Sequence, residues 1–245
     1  MRLRALAGIP AVQAGDDLAA LLREAAARAG IGLQGGVLVV CQKIVSKAEG
    51  RVLRLAEITP SERALQIARL QDKDPRQVEV VLRESARIVR QSRGVLICET
   101  HHGFVCANAG VDLSNAPGRD VAVLLPADPD ASARRLRDAL RGASPEPLGV
   151  IVSDSFGRPW REGLVDVALG CAGLAPIEDL RGRRDWVGRR LEVTANATAD
   201  QLAAAAGLLM RKDQGLPAVW IDGFAPQGDG SARELLRDPA LDLFR

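Results

Sequence analysis

The chain has no tyrosine, four phenylalanines, three tryptophans and two histidines, and aromatics make up 3% of its 245 residues. A core must therefore come from Leu, Val, Ile and Ala, and the 47% hydrophobic content supplies it. His101 and His102 are adjacent, between Thr100 and Gly103, which reads as a surface hairpin turn. A site built on separate histidine ligands, or a Ser–His–Asp triad, has little to draw on. The cysteines, Cys41, Cys98, Cys106 and Cys171, form no CxxC pair, which argues against zinc and disulfide frameworks. They read as buried small hydrophobes. No apolar run approaches a membrane span, and no apolar signal region opens the chain, so the expectation is a soluble, cytoplasmic protein. Lys and Arg number 33 against 31 Asp and Glu. With no basic stripe interleaved with aromatics, nucleic acid is not an expected partner. There is no GxxxxGK[ST] loop and no GxGxxG after a strand, so the chain is neither a P-loop nor a Rossmann protein. Internal repeats and low-complexity segments are also lacking.

What is present is a series of short apolar runs that end in polar clusters. The most informative is Val150–Gly163, VIVSDSFGRPWREG. Leu148–Val152 reads as a buried strand, because β-branched residues fit a pleat covered on both faces. Ser153, Asp154, Ser155, Arg158 and Arg161 follow directly. Ligands of open α/β sheets sit beyond the carboxyl ends of strands. An Asp and a hydroxyl there suit a hard cation with phosphate oxygens, and the arginines suit phosphate charge. A solvated turn fits the same residues equally well.

Asp16-Asp17 caps a helix stopped by Gly30. Gly36–Cys41 is a buried strand, and Gln42–Lys47 a polar loop carrying Lys43 and Lys47 past its end. Thr59-Pro60-Ser61-Glu62 has capping-box character and opens a helix to about Leu70. Asp74-Pro75 opens another, with the stripe Val78, Val81, Leu82, Ala86 and Val89 carrying it to about Gln91. Gly94–Glu99 and Gly103–Ala107 are strands, the second leading into the polar run Asn108–Asn115. Val121–Leu125 is a strand, and Asp128 starts a helix that Gly142 closes. Ser144–Pro147 is the best linker candidate. Val165–Ala175 suits helix or strand. Leu191–Thr194 reads as a strand, Thr198–Met210 as a helix capped by Thr198, Ala218–Asp222 as a strand, and Ser231–Arg237 as a final helix. The polar loops supply carboxylates and lysines, which suggests phosphoryl chemistry if they converge, with positioning and charge stabilisation supplying most of the catalysis.

The blocks GIP at 8–10, GDDL at 15–18, SKAEGR at 46–51, PSERA at 60–64, NAGVDLSN at 108–115, LLPADPDASA at 124–133, SDSFGRPWREG at 153–163 and DWVGRRLEVT at 185–194 stand in order along nearly the whole chain. In them the sequence resembles the coenzyme F420-0:L-glutamate ligase family, in its stand-alone form. The resemblance implies a mixed α/β (α+β) protein of unusual two-lobed ligase fold with mixed sheets, one domain over 1–245 with the linker near 144–147. It implies a homodimer that uses GTP, two divalent ions (Mg²⁺ or Mn²⁺) and K⁺ to join L-glutamate to F420-0 through an acyl phosphate. That chemistry needs no protein nucleophile. A different carboxylate or amino-acid substrate, or a catalytically silent GTP-binding relative, are the alternatives.

Carried over by position, Asp112 and Asp154 match carboxylate ligands of the first metal, and Ser155 matches a residue touching the second. Ile9, Pro10, Ala11, Val12, Gln42, Lys43, Lys47 and Asn115 match nucleotide contacts. Met210, Arg211, Lys212, Asp213, Gln214, Gly215 and Leu216 match the last nucleotide segment, and Arg158 is a candidate charge stabiliser. The family carries Gly and then Glu or Gln after the helix methionine, and that second residue helps hold the second metal. Here Arg211 and Lys212 follow Met210, and the loop is one residue shorter. Two readings stand side by side: Asp213 or Gln214 takes the ligand's place after a register shift, or Lys212 sets a fixed positive charge there.

Overall fold

The computed structural model describes residues 1–92, 94–113 and 120–242. In chain order these form β1 (Arg2–Ala5), α1 (Leu18–Arg28), β2 (Gly36–Cys41), α2 (Gln42–Ala48), β3 (Val52–Arg54), α3 (Glu62–Gln71), α4 (Pro75–Arg83), β4 (Ser85–Ser92), β5 (Val95–Thr100), β6 (Val105–Ala107), β7 (Val121–Val123), α5 (Pro129–Arg141), β8 (Leu148–Arg158), β9 (Arg161–Ala172), β10 (Glu178–Asp179), β11 (Ala195–Asn196), α6 (Thr198–Gly207) and β12 (Ala218–Asp222). Short 3₁₀ turns connect some of them.

The central sheet runs β1-β12-β2-β8-β9. Only the β2–β8 pair in it is parallel; the other neighbours run antiparallel. The unbroken apolar run of β2 follows from burial on both faces. Leu38 and Val40 join Val150, Val152 and Trp220 in a core roofed by Leu22, Ala25 and Ala26 of α1 and by Ala133 and Leu136 of α5. Val37 and Val39 point the other way, onto Ala199, Leu202, Ala203 and Ala206 of α6. A second packing centre lies under the three-stranded sheet β4-β5-β6, where α3 and α4 contribute Ala64, Ile67, Val78 and Val81 against Leu96 and Cys98. Among the described residues the fold is therefore α/β, with a mixed central sheet and no closed barrel. Among the described residues no helix is long and apolar enough to cross a membrane.

Several local expectations change. Gln42–Lys47 is helical, not a loop. The helix opened by Pro75 ends at Arg83, and Ser85–Ser92 is a strand paired with β5 from Ser85↔Thr100 to Ser92↔Val95. The helical spacing of Ala86 and Val89 loses to this pairing, which satisfies the backbone of β5 along its whole length. Ser61, two residues later than expected, caps α3 by accepting from the Ala64 amide. Thr198 does not cap α6; Ala197 does, without a side-chain bond, and the free Ala199 amide donates to the Pro176 carbonyl. Val165–Ala172 is strand, and Leu191–Thr194 precedes a two-residue strand instead of forming one. The tail helix shrinks to a 3₁₀ turn, Ala232–Leu235, with a full Ser231/Glu234 capping box. Ser144–Pro147 joins α5 to β8.

Candidate functional site

Register brings four segments to one end of the central sheet. Cys41 closes β2 directly beside Ser153 of β8. Ala218 opens β12 opposite Val40, and Ala5 closes β1 opposite Val219. The loop after β1, the helix after β2, the polar half of β8 and the loop before β12 therefore meet. Between them is a cavity of about 320 Å³. It lies beyond the carboxyl ends of the parallel pair, where open α/β sheets place ligands.

The wall contains most of the expected residues. Ile9, Pro10, Ala11 and Val12 form one side, with Lys43 and Lys47 of α2 beside them. Asp154 and Ser155 come from β8, and Met210, Arg211, Lys212, Gly215 and Leu216 from the last loop. Gln42 lies behind the wall: fully buried, it accepts a 2.8 Å hydrogen bond from Ser46 Oγ. Its Nε2 finds no partner among the described residues. Asp112 is fixed by two backbone bonds to Val123 and reaches the site through Lys43, whose Nζ lies 2.6 Å from its Oδ2. Asp213 and Gln214 are not in the wall, and Asp213 is held 3.0 Å from the Arg211 guanidinium. Arg158 is not in the wall either; it is exposed where β8 turns into β9, donating to the Glu162 carbonyl. Asn115 lies outside the described residues.

One functional candidate was not anticipated. Asp166 lines the cavity from β9, directly across from Ser155, whose hydroxyl donates to it at 2.6 Å. Ser153, also in the wall, is buried and its hydroxyl has no partner among the described residues. The period-2 polar pattern Ser153, Ser155 on a strand would have pointed to this face. Finding Asp166 also needed the register of a partner segment whose type the local pattern left open.

The electrostatics are those of charged groups held in a buried cavity. Burial pushes the Asp154 carboxyl up to about 7; the nearby Asp112 adds to this, while the Ser155 amide, Lys43 and Lys212 oppose it. Burial also raises Asp166, against its Ser155 hydrogen bond and Lys212. Lys47 is pushed down by burial and by Lys43. The Cys41 thiol, though in the wall, is driven up to about 11 by burial and Asp154, so it is no thiolate nucleophile.

This donor set fits a divalent ion of the Mg²⁺ type. A carboxylate whose charge is penalised by burial and by a neighbouring carboxylate gains from an added cation. Among the described residues no three His, Cys, Asp or Glu side chains cluster closely enough to cage an ion. Asp112 and Asp154 thus match an ion held by one or two carboxylates, with ligand phosphate oxygens completing its shell.

Fold and site together define an α/β protein with a charged ligand cavity at the end of a parallel strand pair, equipped with lysines and carboxylates. The family model described as F420-0:Gamma-glutamyl ligase matches residues 8–223, and the chain belongs to that family. It is 50% identical over 244 residues to the coenzyme F420:L-glutamate ligase of Methanothermobacter thermautotrophicus, covering 97% of this chain and 96% of that protein. The enzyme of the same name from Methanopyrus kandleri is 47% identical, over 96% of this chain and 93% of its own length. That from Haloarcula marismortui is 41% identical, over 100% and 96%.

Proposed function

We propose that the chain is a GTP-dependent γ-glutamyl ligase that joins L-glutamate to the deazaflavin F420-0. The observation that carries this reading is the meeting of residues 9–12, Lys43, Lys47, Asp154 and the 210–216 loop around one cavity, in a chain half identical to a protein of that name. A carboxylate oxygen of F420-0 attacks the γ-phosphorus of GTP, and GDP leaves. The amine nitrogen of glutamate then attacks the acyl carbon, the C–O bond to phosphate breaks, and the amide forms.

The chain's part is to bind and to neutralise charge. Lys43 and Lys47 meet the phosphates as ammonium point charges. Ile9–Val12 and Leu216 supply apolar wall against the nucleotide and keep water from the acyl phosphate. Asp112 and Asp154 would hold the divalent ion, which when bound neutralises phosphate charge and polarises the transferred group. No residue is asked to act as a nucleophile. Homodimerisation and a K⁺ requirement, implied by the family resemblance, belong to the same proposal.

The test is mass spectrometry of a reaction with F420-0, L-glutamate, GTP and Mg²⁺, with Mn²⁺ and ATP in parallel. Products heavier by whole glutamyl units, and only with nucleotide, are expected. Asp154→Ala should abolish them while the protein stays folded. No mass shift in a protein that binds GTP would overturn the reading in favour of another substrate or a silent relative.

A further inference from the structure

The site has two acidic poles. Asp112 and Asp154 form one, with Lys43 against Asp112. Asp166 forms the other, bonded to Ser155 and packed so tightly that a Cβ on Gly207 would lie 2.7 Å from its Oδ2. A second divalent ion at the Asp166 pole would need ligands that this chain has used elsewhere. The Ser155 proton points at Asp166. Asp213, the expected substitute ligand, is outside the wall and bound to Arg211.

Lys212 shares the cavity wall with Asp154, Ser155 and Asp166. It makes no ion pair within 4.0 Å among the described residues, so its charge is not consumed by a single partner. It lies near enough to both poles for its charge to act on Asp154 and on Asp166.

We propose that Lys212 is the built-in cation of the Asp166 pole, so that the loaded site takes one divalent ion, at Asp112 and Asp154, and not two. This rests on the ligase reading for where the nucleotide lies. An ammonium offers three donors from a compact charge. Lining the same cavity as Asp166, it meets phosphate oxygens as a second metal would, without needing that metal to shed its water. The divalent-ion requirement falls to a single ion.

The experiment counts Mn²⁺ bound to the full-length protein saturated with a non-hydrolysable GTP analogue, by electron spin resonance of free Mn²⁺. The wild type is expected to bind one Mn²⁺ per chain and Lys212→Glu two. Two ions on the wild type, none, or one on both proteins, would overturn the inference. Lys212→Met serves as a second variant, since it removes charge without adding a ligand. Its glutamyl transfer should fall at low Mg²⁺ and recover at least tenfold as Mg²⁺ is raised. A loss that Mg²⁺ does not move would also overturn the inference. A wild type that binds one Mn²⁺ yet makes no glutamyl product would instead sink the ligase reading and leave the ion count standing.

Discussion

Lys43→Met removes a charge that the fold has already desolvated. Lys43 is 7% exposed, and its Nζ lies 2.6 Å from Asp112 Oδ2. At an effective dielectric of about 20, unit charges at that separation attract by about 6 kcal/mol. Removing both ions from water cancels much of this, so the pair itself contributes little net stability. Breaking it is another matter. Asp112 loses this ion-pair partner and still sits near Asp154, whose carboxyl it already pushes up. A loss of about 3–5 kcal/mol is expected for the single substitution. Asp112→Asn should also destabilise, by removing the carboxylate that Lys43 pairs with. The double variant should cost less than the sum of the two, with a coupling of about 2 kcal/mol. The assay is equilibrium urea unfolding of all four proteins, read at constant m-value. GTP binding, by titration calorimetry, should weaken about tenfold or more in Lys43→Met, the size of one lost charge-assisted hydrogen bond. Additivity of the two single losses within about 0.5 kcal/mol would refute the reasoning, because it would mean that the two charges do not act on each other.

Three further outcomes concern the scaffold. Glu79 accepts from the Ser61 amide and hydroxyl and from Arg83, and the Ser61 bonds above all hold its carboxyl at about 2 against an ordinary 4.5. Its folded value is depressed, so its stabilisation is full above 4.5 and is lost as pH falls towards 2; Glu79→Gln should flatten urea stability across that window, and an unchanged slope would count against the assignment. A Cβ on Gly170 would overlap the Pro129 carbonyl, so Gly170→Ala should cost about 1–3 kcal/mol or more by pushing α5 off β9. Gly157→Ala, with nothing within 4 Å, should stay within about 0.5 kcal/mol by the same urea unfolding measurement.

The two-sided core was legible wherever burial imposes a pattern on single residues. GVLVVC at 36–41 could only be an interior strand, and α1 and α5 were marked by Asp17 and Asp128 caps that the structure keeps. Lys43, Lys47, Asp154 and Ser155 were each legible as polar residues following an apolar run, whereas Ile9–Val12 were placed at the site only by the family resemblance. What fails is whatever depends on a distant partner. Ser85–Ser92 carries helical spacing, yet β5 claims it as a strand. Asp166 sat in a segment of undecided type, and only the Ser155↔Asp166 register brings it to the site. Asp213 was a reasonable ligand by composition, but two residues of loop geometry gave it to Arg211. Lys212, equally open on paper, is the one that enters the wall.

The placement of β2 between β12 and β8 has a consequence for how the molecule comes into being. A chain leaving the ribosome exposes both edges of β2 until residue 148 supplies its parallel neighbour, and one edge until residue 218 supplies the other. Long-range pairing of this kind is slow to reward its loop closure. The cavity inherits the delay, since its wall runs from Ile9 to Pro217. Ligand competence is thus acquired in a single late event: nascent chains that stop short of β12 hold the lysines and carboxylates but not the site, and during that interval the bare edges of β2 are what a chaperone or an aggregate would meet first.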